Sequence, residues 1–220
     1  APPFGGGELV PLTLVDAAGG REDAAYQVPD QNQCAGCHGS DLSTREIHPI
    51  GPKARHLNRD FAYLDTSGAT LAANQLAEWQ RRGYLTGVPE ASAVPRVVDW
   101  QDPSASLDDR ARAYLDINCS HCHSPAGPGN TSGLWLACGV DDPLRLGRCK
   151  LPIAAGHRTG NRQFDIVPGQ PDASILTYRM VSTDPGVMMP EVGRSVTHRE
   201  GVELIGAWIA AQHGQCGGSG

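Results

Sequence analysis

Two pentapeptides carry the chemistry of this chain, Cys34-Ala-Gly-Cys37-His38 and Cys119-Ser-His-Cys122-His123. Two thiols three positions apart on one helical turn are spaced to add across the two vinyl groups of a single porphyrin. The histidine that follows is then placed to bring its imidazole under the iron as proximal ligand. CxxCH is the attachment signature of c-type haem. Two copies predict two covalently attached haem c groups, held through Cys34, Cys37, Cys119 and Cys122, with His38 and His123 on the irons. The competing use of two CxxC pairs is a zinc site. Here each pair carries a histidine directly after its second cysteine and the pairs stand far apart in the chain, which favours two haems.

The occupant of the sixth iron position sets the potential and decides between electron transfer and ligand chemistry. The second half offers a thioether, because two of the three methionines lie side by side in the Gly/Pro-rich loop Met188-Met189-Pro190. Met189 is the expected ligand, Met188 is its alternative, and Met180 is expected to face the core from a helix. The first half has no methionine. His56, in the loop after Gly51-Pro52, is the first choice for its distal ligand and His48 the second. An open or water-bound iron, or a ligand from elsewhere in the chain or from a neighbouring molecule, completes the set. A bis-histidine first haem and a His/Met second haem would give a lower and a higher potential, with electrons running from the first to the second.

These residues need elements to position them. Residues 107–116 read as a helix leading into Cys119, and a shorter helix is expected from Asp172. Thr197-x-x-Glu200 reads as a capping box opening a C-terminal helix whose Val202, Leu204, Ile205, Trp208 and Ile209 define one buried face. The first half repeats this order at smaller scale, with a helix expected from Leu71 to Arg82 in which Leu76-x-x-Trp79 echoes Ile205-x-x-Trp208. Residues 87–106 read as a linker and residues 1–28 as an extended lead-in. That lead-in shows no basic and apolar secretion signal, so the expectation is that any signal has been removed.

Composition fits this picture. The chain of 220 residues holds 27 Gly and 17 Pro but only 5% aromatics, a thin core that two porphyrins would help to fill. Mean hydropathy is -0.32, and no run of about 18 apolar residues suggests a membrane-spanning helix. A net charge of -6 with 18 scattered Lys and Arg argues against nucleic acid or an anionic membrane as partner.

The chain also resembles a known family through five blocks in order: VPDQNQCAGCHG, HPIGPKARHLNRDF, RARAYLDINCSHCH, FDIVPGQPDASILTYRM, and MMPEVGRS ahead of EGVELIGAWI. Each half is similar to class I cytochrome c, with CxxCH on an N-terminal helix, a Gly-Pro after it, a Met-Pro loop in the second half and a C-terminal helix crossing the first. Over about residues 26 to 212 the chain resembles bacterial dihaem c-type cytochromes of largely uncharacterised function. The resemblance implies a mainly α fold: two cytochrome c-like haem domains in tandem, at 29–86 and 107–216, with long Gly/Pro-rich loops.

The remaining residues take supporting parts. Cys138 and Cys149 are expected to form a disulfide worth about 2 to 3 kcal/mol. Cys216 is left as a free thiol on the tail or as an intermolecular bridge, and self-association is expected through it or through haem edges. Pro52 and Pro128 are candidates to place carbonyls against the Nδ1–H of the proximal histidines, and Arg55, Arg59 and Arg194 to pair with haem propionates. His121 reads as exposed, and His157, His198 and His213 as surface or cap residues. The leading function is an electron carrier serving other redox proteins in the periplasm or outside the cell, where haem attachment and disulfides share an oxidising setting. The rival functions are a dihaem peroxidase-like enzyme with one high-spin haem, recruiting Glu46, Glu78 or a spare histidine, and a subunit of an extracellular cytochrome assembly.

Overall fold

A computed structural model of the protein describes residues 7–15, 18–39, 48–65, 67–153 and 155–217. In chain order these form a hairpin of β1 (Leu9–Val15) and β2 (Arg21–Gln27), helix α1 (Gln31–His38) and the single-turn α2 (Ala54–Leu57). A second hairpin, β3 (Asp60–Leu64) and β4 (Thr70–Asn74), is followed by α3 (Gln75–Arg81), α4 (Leu107–Asn118), α5 (Ile175–Val181) and α6 (Arg199–Ala210). Both sheets are two-stranded and antiparallel. The architecture is therefore mixed α and β, which overturns the expectation of a mainly α fold.

The departures lie in the first half. Residues 9–27, expected as an extended lead-in, pair as a hairpin with Leu9 opposite Gln27 and Val15 opposite Arg21. Gly19 adopts a φ of 83° next to this turn, a conformation glycine takes without the Cβ penalty. The helix expected from Leu71 starts only at Gln75, because Asn74 caps it. Its Oδ1 accepts from the backbone N–H groups of Leu76 (3.0 Å) and Ala77 (3.3 Å), and residues 70–74 before it pair with β3 instead.

Helices α4 and α6 pack together and carry the core. Ser106 caps α4 by accepting from the Asp109 N–H at 3.1 Å, and Asp108 and Asp109 complement the positive end of the helix dipole. Ala111, Tyr114 and Leu115 fall on one face of α4, and Leu204, Ile205, Trp208 and Ile209 on the facing side of α6. The indole N–H of Trp208 donates to Asp108 at 2.7 Å. Met180 joins this cluster, as read from the sequence. The expected capping box does not form: the Thr197 hydroxyl donates to the Val181 carbonyl at 2.8 Å, and α6 starts after His198.

Gly201 lets the two helices meet. A methyl group there would lie 2.1 Å from Tyr114 Oη and 2.3 Å from its Cζ, and that ring is buried and hydrogen-bonded to His198. Gly201→Ala is expected to destabilise the fold by about 1–3 kcal/mol through overpacking. Urea denaturation would show this as a lower midpoint at unchanged slope, and an unchanged midpoint would contradict the close approach.

The loop segment 129–169 is tied into the same core through Leu134, Leu136 and Ile166. Its disulfide joins Cys149 to Cys216, not to Cys138. After α6 the chain turns back because the Ile209 carbonyl accepts from Gly169 N–H (2.9 Å) and the His213 carbonyl from Arg148 Nη2 (2.6 Å), which delivers Cys216 to Cys149. Cys138 instead faces α4, where its N–H donates to Asp116 at 3.3 Å and its carbonyl accepts from Arg112 at 2.6 Å. Cys216 is therefore not available for an intermolecular bridge, and the unpaired thiol outside the CxxCH motifs is Cys138.

The first half has little interior of its own. Among the described residues before Ala111, only Asn58, Leu76 and Glu78 are buried, while Leu64, Leu71 and Tyr84 are exposed. Among the described residues no helix is long and apolar enough to cross a membrane.

Candidate functional site

Helix α1 presents Cys34, Cys37 and His38 and is opened by a reciprocal cap. Asp30 accepts from the Gln33 N–H at 2.8 Å, and the Gln33 side chain accepts from the Asp30 N–H at 2.9 Å. The second motif continues directly from α4. Cys119 N–H donates to the Leu115 carbonyl and His123 N–H to the Cys119 carbonyl, both at 2.9 Å. The chain then doubles back so tightly that a methyl group at Gly127 would come 2.3 Å from the Cys122 carbonyl oxygen and 2.7 Å from that of His121.

Hydrogen bonds fix the tautomer of each CxxCH histidine. His38 Nδ1–H donates to the His48 carbonyl at 2.9 Å, and the His48 N–H donates back to the His38 carbonyl at 2.9 Å. His123 Nδ1 lies 3.3 Å from Ser132 Oγ, whose one hydrogen goes to the Gly129 carbonyl at 2.7 Å. The hydroxyl therefore accepts from Nδ1–H. In both rings Nε2 keeps its lone pair, which is the form that ligates a metal. The acceptors are the His48 carbonyl and the Ser132 hydroxyl rather than the Pro52 and Pro128 carbonyls expected from the sequence. Burial, reinforced by the Arg179 charge, lowers the pKa of His123 and favours its neutral ring.

The two motifs meet. The Cys37 thiol is near enough to that of Cys122 to disfavour its ionisation. Burial pushes the Cys122 thiol up to about 11 and that of Cys119 up to about 12. Beside them runs a cleft of about 420 Å³ lined by Cys37, His38 and His48 from the first half and by Ser120, His121 and Pro128 from the second. That volume is in the range of small-molecule and cofactor sites. His121, expected to be exposed, is half-buried here, because α1 and the segment after His48 close over the turn that carries it.

A buried carboxylate joins the halves next to this cleft. Asp116, on α4 and fully buried, accepts from Arg55 Nε and Nη2 (both 2.7 Å) and from His56 Nε2 (2.6 Å), with Lys53 Nζ at 3.4 Å. Lys53 also donates to the Asp116 carbonyl (3.1 Å) and to Ser120 Oγ. Burial alone would raise the pKa of Asp116, but the Arg55 and His56 hydrogen bonds and the Lys53 and Arg55 charges hold it well below the usual carboxylate range. His56, the first choice for distal ligand, thus has its Nε2–H committed to a carboxylate. Arg59 is likewise paired with Asp99 at 2.7 Å. The sequence reading missed Asp116, whose one signal was a carboxylate on the apolar side of a helix.

Around the second motif the Met188-Met189 loop is strapped to α5. Met189 N–H donates to the Arg179 carbonyl at 3.0 Å, Arg179 Nε donates to the Val187 carbonyl at 2.8 Å, and Arg194 Nη2 donates to the carbonyls of Arg179 (3.1 Å) and Ser182. Met188 is buried and Met189 half-buried. Glu191, two residues after Met189, is near enough to Cys122 and His123 for its charge to act on both. Arg179 Nη2 lies 3.5 Å from Glu191 Oε1 in an ion pair, whereas the buried Arg194 Nε and Trp135 Nε1 have no hydrogen-bond partner. Burial lowers the pKa of both guanidiniums. The unpartnered Nε–H of the buried Arg194 guanidinium suits an anionic acceptor, and the carboxylates of a haem are such acceptors, so the residues present fit that group.

Other candidates are placed as follows. His198 Nδ1 lies 2.9 Å from Tyr114 Oη and its ring stacks on that of Tyr114, while His157 and His213 are largely exposed. Glu78 is clasped by Arg81 and Arg82, whose hydrogen bonds bring its carboxyl down to about 2, so it holds no proton to give at neutral pH. Glu46 lies outside the described residues. Among the described residues no group of three or more His, Cys, Asp and Glu is arranged to hold a metal ion by itself. No family model, no curated protein and no solved structure matches this chain.

Proposed function

We propose that the chain is a dihaem c-type cytochrome that carries single electrons between redox proteins in the periplasm or outside the cell. The observation that carries this reading is that two CxxCH motifs, each with its histidine held in the Nε2-ligating tautomer, face one another beside a common cleft. When bound, each haem c supplies a one-electron ferric/ferrous couple. The residues do the rest. Cys34 and Cys37, and Cys119 and Cys122, provide the thioether attachments. The His48 carbonyl and Ser132 hydroxyl orient the proximal rings of His38 and His123. Met189, with Met188 beside it, presents a thioether from a loop fixed by Arg179 and Arg194. The unpartnered Nε–H of Arg194 would donate to a propionate oxygen, which satisfies a buried donor.

Expression in a host with c-type maturation machinery tests this reading. The intact mass is expected to rise by two haem groups, with two haems per chain in the alkaline pyridine assay and a reversible uptake of two electrons. Replacing Cys34 and Cys37, or Cys119 and Cys122, by Ala should remove one haem each. A chain that matures without any haem would end the proposal.

A further inference from the structure

The first iron would lack an evident sixth ligand in its own half, and a histidine of the second half lines the cleft beside His38. We infer that His121, the middle residue of the second motif, is the distal ligand of the first haem. The inference rests on the dihaem reading above and names a ligand within it.

Three observations carry it. His56 is engaged elsewhere: its Nε2–H donates to Asp116 at 2.6 Å, and taking it away would leave that fully buried carboxylate short of a donor. His48 sits behind the proximal ring, since its main chain bonds His38 twice, through the 2.9 Å contact to Nδ1 and the 2.9 Å contact to the His38 carbonyl. A residue that caps the Nδ1 edge stands on the side of His38 away from iron. His121 alone among the remaining histidines lines the same cleft as His38.

The placement also fits the division of labour in the fold. His121 stands between Cys119 and Cys122 on a turn whose own ligand would be His123, and it lines the cleft together with Cys37 and His38 of the first motif. The two rings are close enough for the charge of His38 to act on His121. A first haem completed by the second half accounts for how few residues of the first half are buried, since its cleft is lined by both halves, from the second by residues 120–128 and Ala137. It also sets His121 one residue from Cys122, a short covalent route between the two centres.

The test reads the iron, not turnover. In ferric wild-type protein, electron paramagnetic resonance and near-infrared magnetic circular dichroism should show one bis-imidazole and one imidazole–thioether low-spin haem. His121→Ala should convert half of the iron to high spin, and added imidazole should return it to low spin. His121→Met should instead replace the bis-imidazole signature with a second thioether signature and raise that midpoint potential. A bis-imidazole signature that survives both variants overturns the inference, as does a water-bound first haem in the wild type. Protein carrying fewer than two haems is a different result, which refutes the dihaem reading itself.

Discussion

Asp116→Ala is expected to cost about 3–5 kcal/mol in denaturant unfolding at pH 7, the range for removing one partner of a buried ion pair and stranding the other. The carboxylate is fully buried, yet it receives Arg55 through two bonds, His56 through one, and the charge of Lys53. All three donors belong to the first half and Asp116 to the second. The loss should therefore fall on the association of the halves, and limited proteolysis should cut residues 87–106 faster in the variant. Asp116→Asn, which keeps the shape and loses the charge, should lie between. The pH dependence has a definite sign. The folded pKa is depressed below the unfolded value of about 3.9, so the contribution is complete above that value and is lost as pH falls through the folded pKa. The stability gap between wild type and Asp116→Ala should hold from pH 7 to about pH 5 and narrow below. A gap under about 1 kcal/mol at pH 7, or one that stays flat into acid, would show that the clamp does not hold the halves together.

This clamp marks where the sequence could and could not be read. The cysteine and histidine spacings name their chemistry because covalent geometry dictates it, and the helical faces of residues 107–118 and 199–210 show in their apolar spacing. The first half carries its own CxxCH spacing but no such apolar helical face. There the strands pair across a turn beside Gly19, and Asn74 stops the helix by a local hydrogen bond that the Leu76-x-x-Trp79 echo conceals. Long-range partners are the least legible of all. Nothing near position 116 announces that Lys53, Arg55 and His56 will meet it, and a histidine counted as spare in the chain turns out to be spoken for in space. The same blindness affects His121. In the sequence it is an interchangeable position of CxxCH, and only the fold brings it into one cleft with His38.

The cysteine pairing shows the effect of local reasoning most directly, and it carries the second large prediction. Cys138 and Cys149 are close in sequence, and the short loop between them makes their pairing the natural reading. The bond instead closes the longer path from Cys149 to Cys216, a separation of 67 residues. By chain-entropy reasoning a loop of that size restricts the unfolded state by about 4 kcal/mol, more than the nearer pairing would. Cys216→Ser and Cys149→Ser should each lower stability by about 2–4 kcal/mol. The double variant should lose no more than either single one, because both remove the same cross-link. Cys138→Ser should leave unfolding within about 1 kcal/mol of wild type. Equilibrium denaturation of the four proteins, with peptide mapping of the intact disulfide, separates the alternatives. If Cys138→Ser proves the costly change and Cys216→Ser the neutral one, the tail is not stapled to residue 149. The return of residues 211–216 over the 148–169 segment would then rest on the Arg148–His213 and Gly169–Ile209 hydrogen bonds alone.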